Sequence, residues 1–313
     1  MRVLVTGASG YLGRAIVAAC RTAGHTTVSF SRHASRSGLP GDAIDGDVRD
    51  GAAVGAAVRG CDAICHTAAL VSVWRRRSAD FDDINVGGLQ TVLEAARRAG
   101  TPCVVYTSSF LALPPTGQAE PGCWNDYQRT KVAADAFASR AVARGAPLVR
   151  VYPGVIYGPG ALTDGNLVGR MVSDHLRGRL PGIIGAERRW SYAFVDDVAA
   201  AHAAALEHGR AGARYRLGGE NARQMAVFEI VRELTGRPLP RRLPAGLAVA
   251  VGAAEEFRAT LSGRPPLLTV GTVEILSRDW DLDSALAVHE LAYRITPLRD
   301  GLARVVAELT QGR

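Results

Sequence analysis

Three side chains in this sequence have the types and spacing for proton transfer at a carbonyl group: Ser109, Tyr127 and Lys131. Tyr127-Gln128-Arg129-Thr130-Lys131 opens a helical pattern, so Tyr127 and Lys131, four apart, project from one face. A phenol with a pKa near about 10 is a poor base at neutral pH, and a nearby ammonium stabilises its phenolate. Lowering it to about 7 takes roughly 4 kcal/mol of differential stabilisation, within reach of Lys131 together with the positive ring of an oxidised hydride carrier. A tyrosine and a lysine at this spacing are also found as an ordinary exposed pair on a helix. What raises this pair is Ser109, which closes the apolar run ending Tyr106-Thr107-Ser108-Ser109. Ligands of open α/β sheets bind at that carboxyl edge, where a serine hydroxyl can hold the same carbonyl oxygen as the phenol. Asn85, on the preceding helix, either holds a water or backbone group for proton relay or is a structural asparagine of the helix interior.

Such chemistry needs a hydride source, and the first residues supply a place for one. Thr6-Gly7-Ala8-Ser9-Gly10-Tyr11-Leu12-Gly13 follows an apolar strand and opens an amphipathic helix. Gly7 permits the tight turn, Gly10 lets the backbone approach a pyrophosphate, and Gly13 lets the helix pack on the strand. The pyrophosphate is expected on the free amides of that helix, around Tyr11 and Leu12. After the second strand comes Ser31-Arg32-His33, with Arg36 nearby. An acid there would select a bare ribose 2′-hydroxyl. Ser31 and Arg32 suit a 2′-phosphate instead, so NADP(H) is expected over NAD(H). Asp47 and Val48, read as the end of the third strand, meet the adenine, or Asp47 closes a strand-end turn. Thr67, Ala68 and Ala69 follow the fourth strand with small residues that suit a cofactor passing over the sheet edge or a packed helix.

These groups must be positioned by an alternation of strands and helices. The strands read Arg2 to Thr6, Thr26 to Ser31, Ala43 to Val48, Asp62 to Thr67, Pro102 to Ser108 and Pro147 to Tyr152, with helices such as Asp83 to Ala99 and Asp126 to Ala143. This pattern predicts an α/β fold, a Rossmann-type doubly wound parallel sheet, followed by a smaller, mainly helical C-terminal substrate lobe. The dinucleotide-binding domain is placed at 1–160, with 190–218 returning to it, and a discontinuous substrate lobe at 161–313. Trp74, Leu111, Asn166, Arg189 and Tyr192 are candidate substrate contacts.

The composition excludes several classes. Five cysteines without a Cys-x-x-Cys pair and seven histidines without ligand spacing indicate neither a disulfide framework nor a metal site. The longest apolar stretch, Leu247 to Ala254, is far shorter than the about 20 residues a bilayer span needs, and no secretory signal opens the chain. A cytoplasmic protein with no membrane partner is expected. The net charge of +7 comes from basic residues scattered in ones and twos, apart from Arg75, Arg76 and Arg77, and aromatic residues are only 6%. Nucleic-acid binding is therefore not expected.

As a set, the glycine loop, Asp47-Val48, His66-x-Ala68-Ala69, Asn85-Val86-x-Gly88, Thr107-Ser108-Ser109 and Tyr127-x-x-x-Lys131 resemble the extended short-chain dehydrogenase/reductase family. Arg150 to Gly160 and Phe194-Val195-Asp196-Asp197-Val198 fit it too, and the likeness runs through nearly the whole chain. The resemblance implies a Ser/Tyr/Lys mechanism, a nicotinamide lined by Pro153, Gly154 and Val155, Lys131 binding the ribose as well, and commonly a homodimer formed through two helices per subunit. Phe110 and Leu111 stand where related sugar dehydratases carry acids, which disfavours dehydration. The run Ser108 to Gly117 looks most like the dihydroflavonol-reductase-like and hopanoid-associated epimerase-like members. Leu286 and Ala292 depart from the pattern, standing where relatives often have Lys and Gly. The function expected first is NADPH-dependent reduction of a ketone or aldehyde of a small or medium organic molecule, with Tyr127 as acid/base. A nucleotide-sugar epimerase with a retained cofactor comes second, and a non-catalytic NADP-sensing protein third.

Overall fold

The computed structural model describes residues 1–311. Its centre is a seven-stranded, wholly parallel sheet built from β1 (Arg2–Thr6), β2 (Thr26–Ser31), β3 (Asp42–Asp45), β4 (Ala63–His66), β5 (Val104–Thr107) and β6 (Leu148–Pro153), with a late seventh strand. After β6 the chain makes β7 (Val155–Tyr157), β8 (Ile183–Ile184) and β9 (Arg189–Phe194), and then returns to the main sheet as β10 (Arg214–Leu217). The order is β10-β6-β5-β4-β1-β2-β3. The winding therefore reverses between β1 and β4, and that switch point is where a crevice opens at the strands' carboxyl ends.

Side chains that alternate along each strand fill two cores. Val3 and Val5 join Cys65, Val105 and Val149 on one face, against α1 (Tyr11–Thr22) and, later in the chain, the helix Val195–His208. Leu4, Phe30, Ile64 and Tyr106 point to the other face. There they meet α2 (Gly51–Val58), then, past a short turn α3 (Ala79–Phe81), α4 (Gly88–Ala99) and α5 (Asp126–Ala143). Strands buried on both faces read as continuous apolar runs, as these do.

Several strand ends shift from the sequence expectation by a residue or two, and two differences bear on the site. The third strand ends at Asp45, so Asp47 and Val48 lie in the loop after it. The helix expected over Asp83 to Ala99 is not uniform, because Asp82–Gly87 forms a π-helical turn before α4 begins. Such turns widen the helix by one residue and re-aim the side chains on them. Gly87-Gly88 eases the junction: a Cβ on Gly88 would stand 2.9 Å from a Val48 methyl carbon.

The remainder surrounds a third core of aromatic residues, including Tyr157, Trp190, Phe194, Phe228 and Trp280. It holds α6 (Leu167–Leu176), the helix Val195–His208 as α7, β11 (Glu220–Arg223), α8 (Gln224–Thr235) and β12 (Arg242–Leu243). The chain then continues through α9 (Ala245–Ser262), α10 (Val270–Leu276), α11 (Ala285–Leu291) and α12 (Leu298–Gln311). β7, β9 and β11 form a separate three-stranded sheet, and β8 pairs with β12. Ala292, after α11, has φ of 50°, and it is the one non-glycine residue at positive φ among the described residues.

Candidate active site

The glycine turn is built as the sequence requires. Gly7 has φ of +70°, and a Cβ there would stand 2.7 Å from the Ala68 Cα. At Gly13 a Cβ would be 2.2 Å from the Gly7 carbonyl oxygen, so only glycine lets α1 sit this close to the turn. Gly10 caps α1 without any side-chain hydrogen bond, and the first turn holds no acid, which leaves amides at Tyr11 and Leu12 and the positive helix end for an anion. Arg14 ties the turn down, donating to the carbonyls of Ser9 and Ser37. At the end of β2 the Ser31 hydroxyl is buried without a partner, and Arg32 and Arg36 beside it are exposed. An orphaned hydroxyl, free amides and unpaired guanidiniums are groups that a phosphorylated dinucleotide would satisfy, so the residues present fit one. Asp47 is turned toward Arg49, accepting from its backbone N–H and its guanidinium, and this bonding, against some burial, holds its pKa to about 2. The strand-end turn is thus the arrangement seen for Asp47, and Val48 is buried against α2 and α4.

At the carboxyl ends of β4 and β5 the structure brings Ser109, Tyr127 and Lys131 together. Lys131 Nζ donates to the Thr107 carbonyl at 3.1 Å and lies 5.9 Å from the centre of the Tyr127 ring. The Ser109 hydroxyl lies close enough to the Tyr127 phenol to lower its pKa. It also caps the short turn Phe110–Ala112 through the Leu111 N–H at 3.2 Å. Asn125 caps α5 through the Gln128 N–H, which fixes the first turn on which Tyr127 sits.

The acidification expected of the phenol draws on a positive nicotinamide beside Lys131, and burial in the protein acts in the opposite direction. Burial pushes Tyr127 up to about 12, and the Ser109 hydroxyl draws it back only in part. Burial likewise brings Lys131, only 3% exposed, down to about 8. The low-dielectric site penalises both ions.

Around these groups lies a polar shell that sequence reading missed. Thr107 Oγ1 meets His202 Nε2 at 2.8 Å, and His202 Nδ1 donates to the Val198 carbonyl, so the strand carbonyl that holds Lys131 is itself anchored to α7. Thr6 and His66 are 2.8 Å apart across the switch point, and His66 stacks on Tyr106. Burial first, and then Lys131, lowers His66 to about 3, which keeps it neutral. The signal was a polar residue inside an otherwise apolar strand or helix, which alone does not say what it faces.

Asn85 is buried and fully committed. Its Oδ1 accepts from the Leu70 N–H at 2.7 Å, and its Nδ2 donates to the Leu70 carbonyl and to Thr130 Oγ1. It is therefore a clamp between the loop after β4 and α5. Thr67, Ala68 and Ala69 lead into that loop, half-buried over the glycine turn. Pro153, Gly154 and Val155 join β6 to β7 at the sheet edge, with Gly154 against the Ser191 backbone.

Of the candidate substrate contacts, Leu111 sits in the turn after Ser109 and Trp74 is half-buried in the loop held by Asn85. Three others are placed otherwise. Asn166 is buried and caps α6, accepting from Gly169 and donating to the Gly158 carbonyl. Tyr192 is buried in the aromatic core, edge-on to Tyr157. Arg189 binds Asp281 and the Asn221 carbonyl. Helix caps and core aromatics carry the same sequence appearance as pocket residues.

Strand order and sheet-edge chemistry together put the protein among the extended short-chain dehydrogenases/reductases, NAD(P)-dependent oxidoreductases and epimerases of Rossmann-type fold. More narrowly, the chain belongs to the NAD dependent epimerase/dehydratase family, whose model matches residues 3–218. It is 32% identical over 327 residues to sterol demethylase protein B of Methylococcus capsulatus, covering 98% of each chain. It is 27% identical to a putative dihydroflavonol 4-reductase of Synechocystis, covering 96% of this chain and 92% of the other. The structure of MoeE5 in complex with UDP-glucuronic acid and NAD superposes over 100% of both chains with a TM-score of 0.79 at 26% identity.

Proposed function

We propose that the protein is an NADPH-dependent reductase of a largely apolar ketone or aldehyde. The observation that carries this reading is the group Ser109, Tyr127 and Lys131 at the sheet edge, set among Phe110, Leu111 and half-buried Trp124. When bound, the cofactor supplies hydride to the carbonyl carbon. Ser109 orients the carbonyl oxygen, and Tyr127 gives it a proton. A phenol held at about 12 is fully protonated at neutral pH, which is the state reduction needs. Lys131 would hold the ribose, and it adds the positive charge that eases loss of the proton from Tyr127. Ser31, Arg32 and Arg36 would hold the 2′-phosphate, and the amides at Tyr11 and Leu12 the pyrophosphate. The relatives' names, a sterol demethylase protein and a dihydroflavonol reductase, suit an apolar ring substrate. The region beyond residue 160 serves as the substrate lobe in this reading.

A nucleotide-sugar epimerase is the second reading, favoured by the fold shared with MoeE5. Its substrate diphosphate would call for free cations on the lobe. Arg188 is instead bound to Asp279 and Arg278 to Glu274 around the 380 Å³ cavity there. A panel of carbonyl compounds followed by NADPH absorbance, with NADH in parallel, tests the reductase reading. Turnover with NADPH on apolar ketones is expected. Purification with a tightly held cofactor and no consumption of added NADPH would reverse the ranking.

A further inference from the structure

The apolar stretch that is too short to cross a bilayer lies in α9, and this helix has two apolar faces. One is used: Ala248, Gly252 and Ala259 are buried, with Gly252 against the backbone of Thr269 and Val270. The other is left uncovered. Leu247, Val251, Phe257 and Leu261 are 58%, 46%, 68% and 73% exposed. At 3.6 residues per turn they fall, with Ala250 and Ala254, in one stripe about 20 Å long, which also carries Arg258, its side chain 41% exposed and paired with Glu255. Leu267, 88% exposed, continues it past the helix end. The helix's two carboxylates are both satisfied, Glu255 by Arg258 and the Leu267 N–H at the edge of the stripe, Glu256 by the Val270 N–H.

The rim of this stripe is basic. Arg76 Nη1 lies 3.8 Å from where a Gly263 Cβ would stand, so the segment Val73 to Arg76 abuts the end of α9. Arg75, Arg76 and Arg264 are exposed and have no carboxylate partner among the described residues, whereas neighbouring Arg77 binds Asp80 and Asp83.

We propose that this face docks the protein on an anionic lipid surface, with α9 lying in the plane of the interface. Phe and Leu on one face and arginines at the edge are what such a helix needs, and no span is required. Among the described residues no helix is long and apolar enough to cross a membrane, and lying on one is a separate matter. Charge complementarity favours anionic headgroups over a second copy of the chain, because a two-fold contact would set this cationic rim against itself. The segment Val73 to Arg76 follows Leu70, which Asn85 clamps to the catalytic helix, so the docked face adjoins the mouth of the site. Delivery of an apolar substrate from the bilayer rests on the reductase reading; the docking does not.

Co-sedimentation with vesicles tests it, using phosphatidylcholine alone and an equal mixture with phosphatidylglycerol, without cofactor or substrate. Binding at least about tenfold tighter to the anionic vesicles is expected, weakening as salt rises. The triple variant R75Q/R76Q/R264Q should lose on the order of a hundredfold, about fivefold per arginine. F257S/L261S should lose more than about tenfold. Melts followed by circular dichroism check that these surface variants fold, and the lipid and salt dependence of the unaltered protein is decisive by itself. No sedimentation with anionic vesicles, or equal binding to neutral ones, overturns the proposal. So does a dimer that light scattering shows to dissociate in F257S/L261S while lipid binding is unchanged, since the stripe would then be closed by a second copy. Failure here leaves NADPH turnover untouched, so the two readings fall separately.

Discussion

Lys131 is a buried cation, and replacing it by methionine gives a stability effect whose dependence on pH can be worked out in advance. Burial takes its pKa from 10.5 to about 8. An unfolded lysine keeps the ordinary value, so between these limits the unfolded chain binds more protons and stability rises with pH. The difference amounts to roughly 3 kcal/mol, present as a cost below about pH 8 and relieved by about pH 10.5. The residue is only 3% exposed, so solvent screening does not discount this figure. K131M lacks the ion and lacks the cost. Repacking around methionine adds an offset that does not vary with pH. The wild type should therefore gain on K131M by roughly 3 kcal/mol between about pH 7 and about pH 10.5, while other titrating groups cancel in the comparison. Urea denaturation of both proteins along that range, without cofactor, measures the gap. A constant gap would mean that Lys131 ionises like a solvated lysine, and the electrostatic picture of the site would be wrong.

Three other changes give distinct outcomes. Arg32→Glu places an acid where the 2′-phosphate is expected and should cut kcat/KM for NADPH by about a hundredfold, a loss of roughly 3 kcal/mol, while sparing NADH; steady-state kinetics with both cofactors decide. Asn85→Ala removes the clamp on Leu70 and leaves the Leu70 amide unpaired, so the melting temperature should fall by an amount matching about 2–3 kcal/mol, with KM raised more than kcat is lowered. Ala292→Gly relieves an alanine held at φ of 50° and should stabilise the fold by about 1 kcal/mol, read as a higher midpoint in urea.

The parts of the fold that were legible in the sequence are those whose signals are local. β1, β2 and α5 have the ends that apolar periodicity predicts. The glycine turn was legible because each glycine answers to one steric demand, visible at Gly7 and Gly13 as contacts a Cβ cannot make. The π-helical turn at Asp82–Gly87 was not, since its extra residue is set by the fit of Asn85 between Leu70 and Thr130, both distant in sequence. Asn166, Arg189 and Tyr192 show the same limit from the other side. A cap, an ion pair and a core ring look like pocket residues until their partners are known. The burial that raises Tyr127 belongs to the same class, because it is a property of the assembled site.

The claim on which the rest depends is that Tyr127 delivers the proton as hydride arrives. Tyr127→Phe, assayed in single-turnover carbonyl reduction with NADPH binding measured separately by fluorescence, addresses it most directly. NADPH affinity within a factor of about three and reduction slowed by at least about a hundredfold is the predicted result. Carbonyl reduction at the wild-type rate with the phenol hydroxyl removed would contradict it.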